Sequence, residues 1–154
     1  MKGLGLSCNI ISGRPSVVGI LIAPNGADLV ATQVFQHLSD PNEDQALQLL
    51  SLQNALAASL PDVAADAAVV RSPDWSQFTK RAVLRKKYAV EGVLLATCRN
   101  RLRQVRSMDG REIGEIMGSN KAEIEARARV LANEAVEACA AALAAAEIAR
   151  QGGI

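Results

Sequence analysis

The sequence predicts one α/β domain over residues 1–154, built on a five-stranded mixed sheet with helices on both faces. Two observations lead to this class. Apolar runs and turn signals alternate in the order β-β-β-α-β-α-β-α, which gives strands both in succession and separated by helices. Hydrophobic residues make up 49% of the chain and aromatic residues only 3%, so small aliphatic side chains must fill the core.

The first forty residues predict three antiparallel strands, at 4–11, 17–23 and 28–36. The first two runs are separated by Ser-Gly-Arg-Pro-Ser and the next two by Pro-Asn-Gly-Ala, which are both typical of turns. The middle run is apolar throughout, as expected of a strand that is covered on both faces.

A Leu-rich helix is predicted to follow and to end near Leu60. Asp40, Pro41 and Glu43 occupy the positions of an N-cap, a first-turn proline and an N3 acid. Pro61 and Asp62 then end the helix, and a short fourth strand is predicted at 67–71.

The second half of the chain predicts a basic helix at 79–99, a fifth strand at 102–108 and a short helical stretch at 111–117. Asn120 and Glu123 resemble a capping pair for the helix that comes next. Because no Gly or Pro occurs from 121 to 151, the pattern allows one long Ala-rich helix or two helices broken near Asn133.

The formal net charge of +1 conceals a strong asymmetry along the chain. Residues 1–70 carry a net charge of −4, residues 71–129 carry +7, and residues 130–154 carry −2. A basic middle section is typical of a surface that binds polyanions, although a solvated helix face gives the same count.

The cysteine pattern and the hydropathy exclude other classes of protein. Cys8, Cys98 and Cys139 are far apart and odd in number, so we predict buried thiols and neither a disulfide framework nor a zinc site. No apolar run reaches 18 residues and no signal peptide is visible, so we expect a cytoplasmic protein with no membrane partner.

Four stretches of the chain carry a resemblance to a known family: LGLSCNIISGRPSVVGI, KRAVLRKKYAVEGVLLATC, VRSMDGREIGEIMGSNKAEIEARARVL and EACAAALAAAEIA. Together they resemble the RuvC-type Holliday junction resolvases, which have a ribonuclease H-like fold. The resemblance covers nearly the whole chain. It implies binding of nucleic acid, with DNA as the expected partner, and cleavage by two Mg²⁺ ions held by carboxylates.

The residues that the resemblance places at the metal site depart from the family pattern. The first-strand acid falls at or near Asn9, the fourth-strand acid falls at Arg71, and the two acids of the last helix fall at Glu137 and Ala140. One carboxylate out of four cannot hold two divalent ions, and Arg71 would repel them. We therefore expect no metal site, no cofactor and no metal-dependent cleavage.

The same resemblance places the DNA-facing helix at the basic stretch. The candidate binding residues are Arg71, Trp75, Lys80, Arg81, Arg85, Lys86 and Lys87. Arg99, Arg101, Arg103 and Arg106 adjoin this strip in sequence, which favours binding of nucleic acid over a merely solvated helix face. Arg71 would clamp a phosphate or form a structural ion pair with Glu137, and Trp75 would act as a stacking wedge or pack in its loop.

The leading hypothesis is a nucleic-acid-binding domain without catalytic activity, acting alone or as a homodimer. One alternative is a divergent Mg²⁺-dependent junction endonuclease that uses Asp74 and Glu137 with ligands from a partner. A second alternative is a structural or assembly module, in which the Ala-rich or the Leu-rich helix is a protein interface and the cations only confer solubility.

Overall fold

A five-stranded mixed sheet forms the centre of the molecule in a computed structural model that describes residues 1–74 and 76–152. The strand order is β3-β2-β1-β4-β5; β1, β2 and β3 are antiparallel, and β4 lies parallel to both β1 and β5. The strands are β1 Gly3–Ile11, β2 Arg14–Asn25, β3 Asp28–Leu38, β4 Ala67–Arg71 and β5 Val105–Met108. The helices are α1 Gln45–Ser59, α2 Arg81–Arg99, α3 Gly110–Ile116, α4 Lys121–Leu131 and α5 Val136–Gly152.

The sheet separates two hydrophobic cores, because alternate side chains of each strand point to opposite faces. Leu4 and Leu6 of β1 pack with α1 and α2 on one face. Ile20 of β2 and Val69 of β4 pack with α3, α4 and α5 on the other. The predicted mixed sheet with helices on both faces is thereby confirmed.

The backbone of β1 lies directly against α5. A Cβ atom built on Gly5 would lie 2.0 Å from the carbonyl oxygen of Ala138 and 2.3 Å from the amide nitrogen of Ala142. Gly3 meets the next turn of the helix in the same way. Only glycine on the strand and small residues on the helix allow this spacing.

The Ala-rich helix is therefore core, which excludes the alternative in which it is a protein interface. Every residue from 138 to 145 is buried within its own chain, against the sheet and α4. The Leu-rich helix α1 differs, since Leu47 and Leu50 on its outer face are each 50% exposed.

The first helix begins at Gln45, and the predicted N-cap at Asp40 is wrong. The Asp40 carboxylate accepts a hydrogen bond from the Asn42 amide at 2.9 Å and closes a separate turn. Asp44 is the N-cap, and its side chain accepts the amide of Leu47 at 2.9 Å.

The fifth strand is shorter than predicted, and the terminal helical region is broken. The amides of Arg101 and Leu102 donate to the Cys98 carbonyl at the end of α2, so β5 begins only at Val105. Asn120 caps α4 through the Glu123 amide, as predicted. The break between α4 and α5 includes Asn133, which selects the two-helix alternative.

Cys98 and Cys139 are buried as predicted, whereas Cys8 is half-buried. Burial raises the pKa of the Cys98 thiol to about 12 and that of the Cys139 thiol to about 11, so both are protonated at neutral pH. No helix within the described ranges is long and apolar enough to cross a membrane.

Replacing Gly5 with alanine should destabilise the fold strongly, because the added methyl group would overlap the backbone of α5. We expect the free energy of unfolding of Gly5→Ala to fall by about 3 kcal/mol. The control is Gly92→Ala in the exposed part of α2, where a Cβ would meet nothing within 4 Å. The free energy of unfolding of this control should rise by about 0.5 to 1 kcal/mol, because alanine has a higher helix propensity than glycine. Urea unfolding followed by circular dichroism measures both, and equal midpoints would contradict the close contact.

Candidate functional site

The residues singled out in the sequence lie at the end of the sheet where the parallel strands β1 and β4 finish. Gly3 and Gly5 face α5, so the alternation of β1 places Ser7 and Asn9 on that same face. Leu6 pairs with Val70, and one more step of this register brings Ser7 level with Arg71. Ser7, Asn9 and Glu137 line one cleft of about 450 Å³ beside the start of α5.

Arg71 ends β4 and is only 6% exposed. Its Nη2 lies 2.9 Å from Asp74 Oδ2 and 3.9 Å from Glu125 Oε1 on α4. The expected ion pair with Glu137 is therefore wrong. The loop after β4 turns back at once, so a carboxylate three residues along the chain reaches the guanidinium first.

Asp74 is the centre of a small ionic network. Its Oδ2 also accepts a hydrogen bond from Lys121 Nζ at 2.6 Å, and its Oδ1 accepts the Gly110 amide at 2.9 Å. Burial favours the protonated acid, but these donors and the charge of Arg71 outweigh it and hold the pKa of Asp74 below its ordinary value. Both oxygens of this carboxylate are thus occupied by protein donors.

The Arg71 guanidinium rests on a glycine of α3. A Cβ atom on Gly110 would lie 2.8 Å from Nη1 and 2.9 Å from Nη2 of Arg71. The same Gly110 gives its amide to Asp74, so one residue sets the position of both members of the pair.

A cavity of about 40 Å³ opens beside this pair and mixes charges of both signs. It is lined by the cations Arg71 and Lys87 and by the carboxylates Asp74, Glu91 and Glu137. Glu91, on α2, accepts hydrogen bonds from the hydroxyl groups of Ser72, at 3.1 Å, and Ser107.

The Cys8 thiol also lines this cavity but has the wrong protonation state for a nucleophile. Burial raises its pKa to about 11, although the charge of Lys87 acts in the opposite direction. The thiol therefore stays protonated near neutral pH.

The described residues do not fit a pair of Mg²⁺ ions. Of the positions that the resemblance assigns to metal ligands, Asn9 and Glu137 are exposed, Arg71 is a buried cation, and Ala140 is buried without any donor. Asp74 has both oxygens engaged. Within residues 1–74 and 76–152, no three His, Cys, Asp or Glu side chains are grouped so as to hold a metal ion.

The five cations predicted on the basic helix fall into two groups. Lys80, Arg81 and Arg85 are exposed and make no ion pair within the described part of the chain. Lys86 instead donates from Nζ to the Gly13 carbonyl at 2.7 Å and braces the β1–β2 turn, whereas Lys87 lines the cavity.

Trp75, the aromatic residue singled out in the sequence, falls outside the described residues. Two other aromatic side chains are exposed nearby. Phe78, shortly before α2, is 87% exposed, and Tyr88 on the outer face of α2 is half exposed.

The fold divides the basic residues of this stretch between the two ends of the sheet. Helix α2 contains 19 residues and spans about 28 Å at 1.5 Å per residue. Arg81 and Arg85 lie near the end of β4, whereas Arg99, Arg101 and Arg103 lie near the start of β5. Closeness in sequence does not give one surface here.

Sequence reasoning did not single out Glu91, Lys121 and Glu125 as part of the site. Glu91 carried a usable signal, since it is the only acid between residues 75 and 108. Lys121 and Glu125 carried none, because they reach Asp74 and Arg71 only through the packing of α4 beside β4.

Asp74→Ala should lower the free energy of unfolding by about 2 kcal/mol at neutral pH, because it leaves Arg71 buried without its nearest carboxylate. Glu115→Ala, which removes an exposed pair with Arg111, should change it by less than about 0.5 kcal/mol.

The pH dependence gives a second readout of the same pair. The folded pKa of Asp74 is lowered, so its contribution is present above the unfolded value of about 4 and is lost as pH falls through the folded value. Urea unfolding at neutral pH and near pH 3 should show the gap between wild type and Asp74→Ala closing in acid. A gap that persists would contradict the ionic role of Asp74.

No family model matches the sequence, and no curated protein matches it. The structure is similar to RuvC of Thermus thermophilus with a TM-score of 0.68 and 16% sequence identity, over 99% of this chain and 97% of that one. The T. thermophilus RuvC in complex with a Holliday junction substrate gives a TM-score of 0.69 and 17% identity, again over 99% and 97%. This chain therefore has the RuvC-type, ribonuclease H-like fold that its sequence predicted.

Proposed function

We propose that this protein binds nucleic acid, with DNA as the partner, and that it does not cleave it by a two-metal reaction. The observation that carries the proposal is the set of exposed cations Lys80, Arg81 and Arg85, at the end of the sheet that also holds Arg71. Cations that are free of acidic partners can neutralise phosphates and release the counterions bound to them.

The electrostatics around the start of α2 favour a phosphate backbone. Glu91 is the only carboxylate on this helix, and its oxygens accept hydrogen bonds from two serines rather than facing the exposed cations. Phe78 adds an exposed ring beside the cations, which suits stacking on an unpaired base. T. thermophilus RuvC, which has this fold, is known in complex with a Holliday junction substrate, and this supports DNA as the partner.

The absence of two-metal cleavage is supported by the charges at the end of β4. Arg71 and Lys87 place two positive charges at the cavity, where they offset two of its three carboxylates and weaken its attraction for divalent cations. Asp74 accepts hydrogen bonds from Arg71 and Lys121 at Oδ2 and from the Gly110 amide at Oδ1, so a metal ion would have to compete with these donors. The proposed role of Arg71 is thus structural, with its charge balanced by Asp74 and Glu125.

Reversing the charges of Arg81 and Arg85 should weaken DNA binding. We expect Arg81→Glu/Arg85→Glu to lower the affinity for a duplex about tenfold and to reduce the slope of log affinity against log salt by about two. Fluorescence anisotropy at two salt concentrations measures both quantities. Lys86 and Lys87 are less suitable targets, since they contact the β1–β2 turn and the cavity.

Arg127→Glu/Arg129→Glu on α4 is the matched control. These two arginines are also exposed, and each double reversal lowers the formal net charge of +1 by four. The control should bind nearly as well as wild type. Wild-type protein that binds no DNA at either salt concentration would contradict the proposal and favour an assembly role, for which the exposed Leu47 and Leu50 of α1 are the available surface.

Cleavage is the other test, because Asp74, Glu91 and Glu137 line one cavity, although the described side chains include no group of three that could hold a metal ion. A labelled four-way junction incubated with the protein and Mg²⁺ or Mn²⁺ should remain intact, since the cavity lacks a free set of carboxylates. Metal-dependent cleavage that disappears in Glu137→Ala would overturn the proposal and establish the endonuclease.

A further inference from the structure

A second group of cations lies at the opposite end of the molecule, where β1, β4 and β5 begin. Arg101 and Arg103 line a cleft of about 340 Å³ there, together with Met1 and Asp66. With Arg99, the last residue of α2, they form a group that we call the arginine pole.

The local chain geometry exposes these side chains. Leu102 is half-buried and packs into the core between α2 and the sheet, so its neighbours Arg101 and Arg103 point outward. Arg99 has a structural contact, since its Nη1 donates to the Leu102 carbonyl at 3.2 Å. Arg101 and Arg103 make no side-chain hydrogen bond or ion pair with any described residue.

The charge of this pole is not balanced by its surroundings. Asp66 is the acid that lines the cleft, and its Oδ2 already accepts the backbone amide of Lys2 at 2.7 Å. Arg101 and Arg103 therefore face solvent beside one engaged carboxylate, and Arg99 is exposed at the adjoining end of α2. All three are guanidinium groups, which donate paired hydrogen bonds to phosphate in a planar geometry that ammonium groups cannot match.

We infer that the arginine pole is a second contact for a nucleic-acid backbone, so that one copy of the protein can hold two duplex segments, one at each end of the sheet. The inference rests on the proposed function, since the first segment is the one bound at Lys80, Arg81 and Arg85. The two contacts lie at the two ends of α2, about 28 Å apart. Both attract phosphate without reading bases, so the two duplexes need not share a sequence.

The test is capture of a fluorescent duplex by an unrelated duplex fixed to beads. Wild-type protein should retain the fluorescent duplex at intermediate protein concentration. Retention should fall again when protein is in excess, because each duplex then binds separate copies.

Arg101→Glu/Arg103→Glu should reduce this capture about tenfold while leaving the affinity for one duplex in solution within about twofold. Arg99 is left intact because it braces the turn. Arg127→Glu/Arg129→Glu carries the same net charge and should capture like wild type. Thermal unfolding of each variant confirms that the fold is retained.

Four outcomes would overturn the inference. Undiminished capture by Arg101→Glu/Arg103→Glu would show that two copies, each with one site, bridge the duplexes. A parallel loss of solution affinity and capture in that variant would show that one duplex lies along α2 and touches both ends. Wild-type protein that binds a duplex but captures no second one would refute this inference and leave the proposed function standing, whereas failure to bind any duplex would refute both.

Discussion

The contact between the β1 backbone and α5 is the constraint on which the rest of the structure depends. Gly3 and Gly5 leave no room for a side chain, and the buried alanines of α5 are small enough to lie against them. This spacing fixes the end of β1 relative to the first turn of α5, and so brings Ser7, Asn9 and Glu137 to one cleft. Larger side chains on β1 or α5 would move the strand away from the helix, and the residues of the cleft would then no longer lie together.

A buried guanidinium at the end of β4 imposes the second constraint. An arginine that is 6% exposed needs a carboxylate close by, and Asp74 meets this need only because Gly110 and Lys121 hold it in place. The start of α3 and the start of α4 are thus both tied to one acidic side chain. The charges of Arg71 and Asp74 are thus used in internal ion pairs. This is the physical basis for proposing that the protein binds nucleic acid without cleaving it.

The sequence predicted those parts of the fold that depend on local patterns. The bounds of β4 at 67–71 were recovered because a short apolar run lies between clear turn signals. The start of α1 was missed because Asp40 and Asp44 are both good caps, and only the folded turn shows which of them closes on Asn42. The partners of Arg71 could not be predicted, because the separation of residues along the sequence gives neither the direction of the loop after β4 nor the approach of Glu125.

The division of the basic residues shows why charge counted along a chain does not give a surface. Because β4 and β5 are parallel, the helix that joins them must cross the full length of the sheet. Cations that begin this helix and cations that follow it are therefore carried to opposite ends, although fewer than 20 residues separate Arg85 from Arg103. Lys121 shows the converse, since it lies 47 residues from Asp74 in sequence and 2.6 Å from it in space. The topology of one β-α-β unit thus divides a single basic stretch of sequence into two groups of cations at opposite ends of the sheet. The binding partner of each group has to be inferred from the contacts of that group alone.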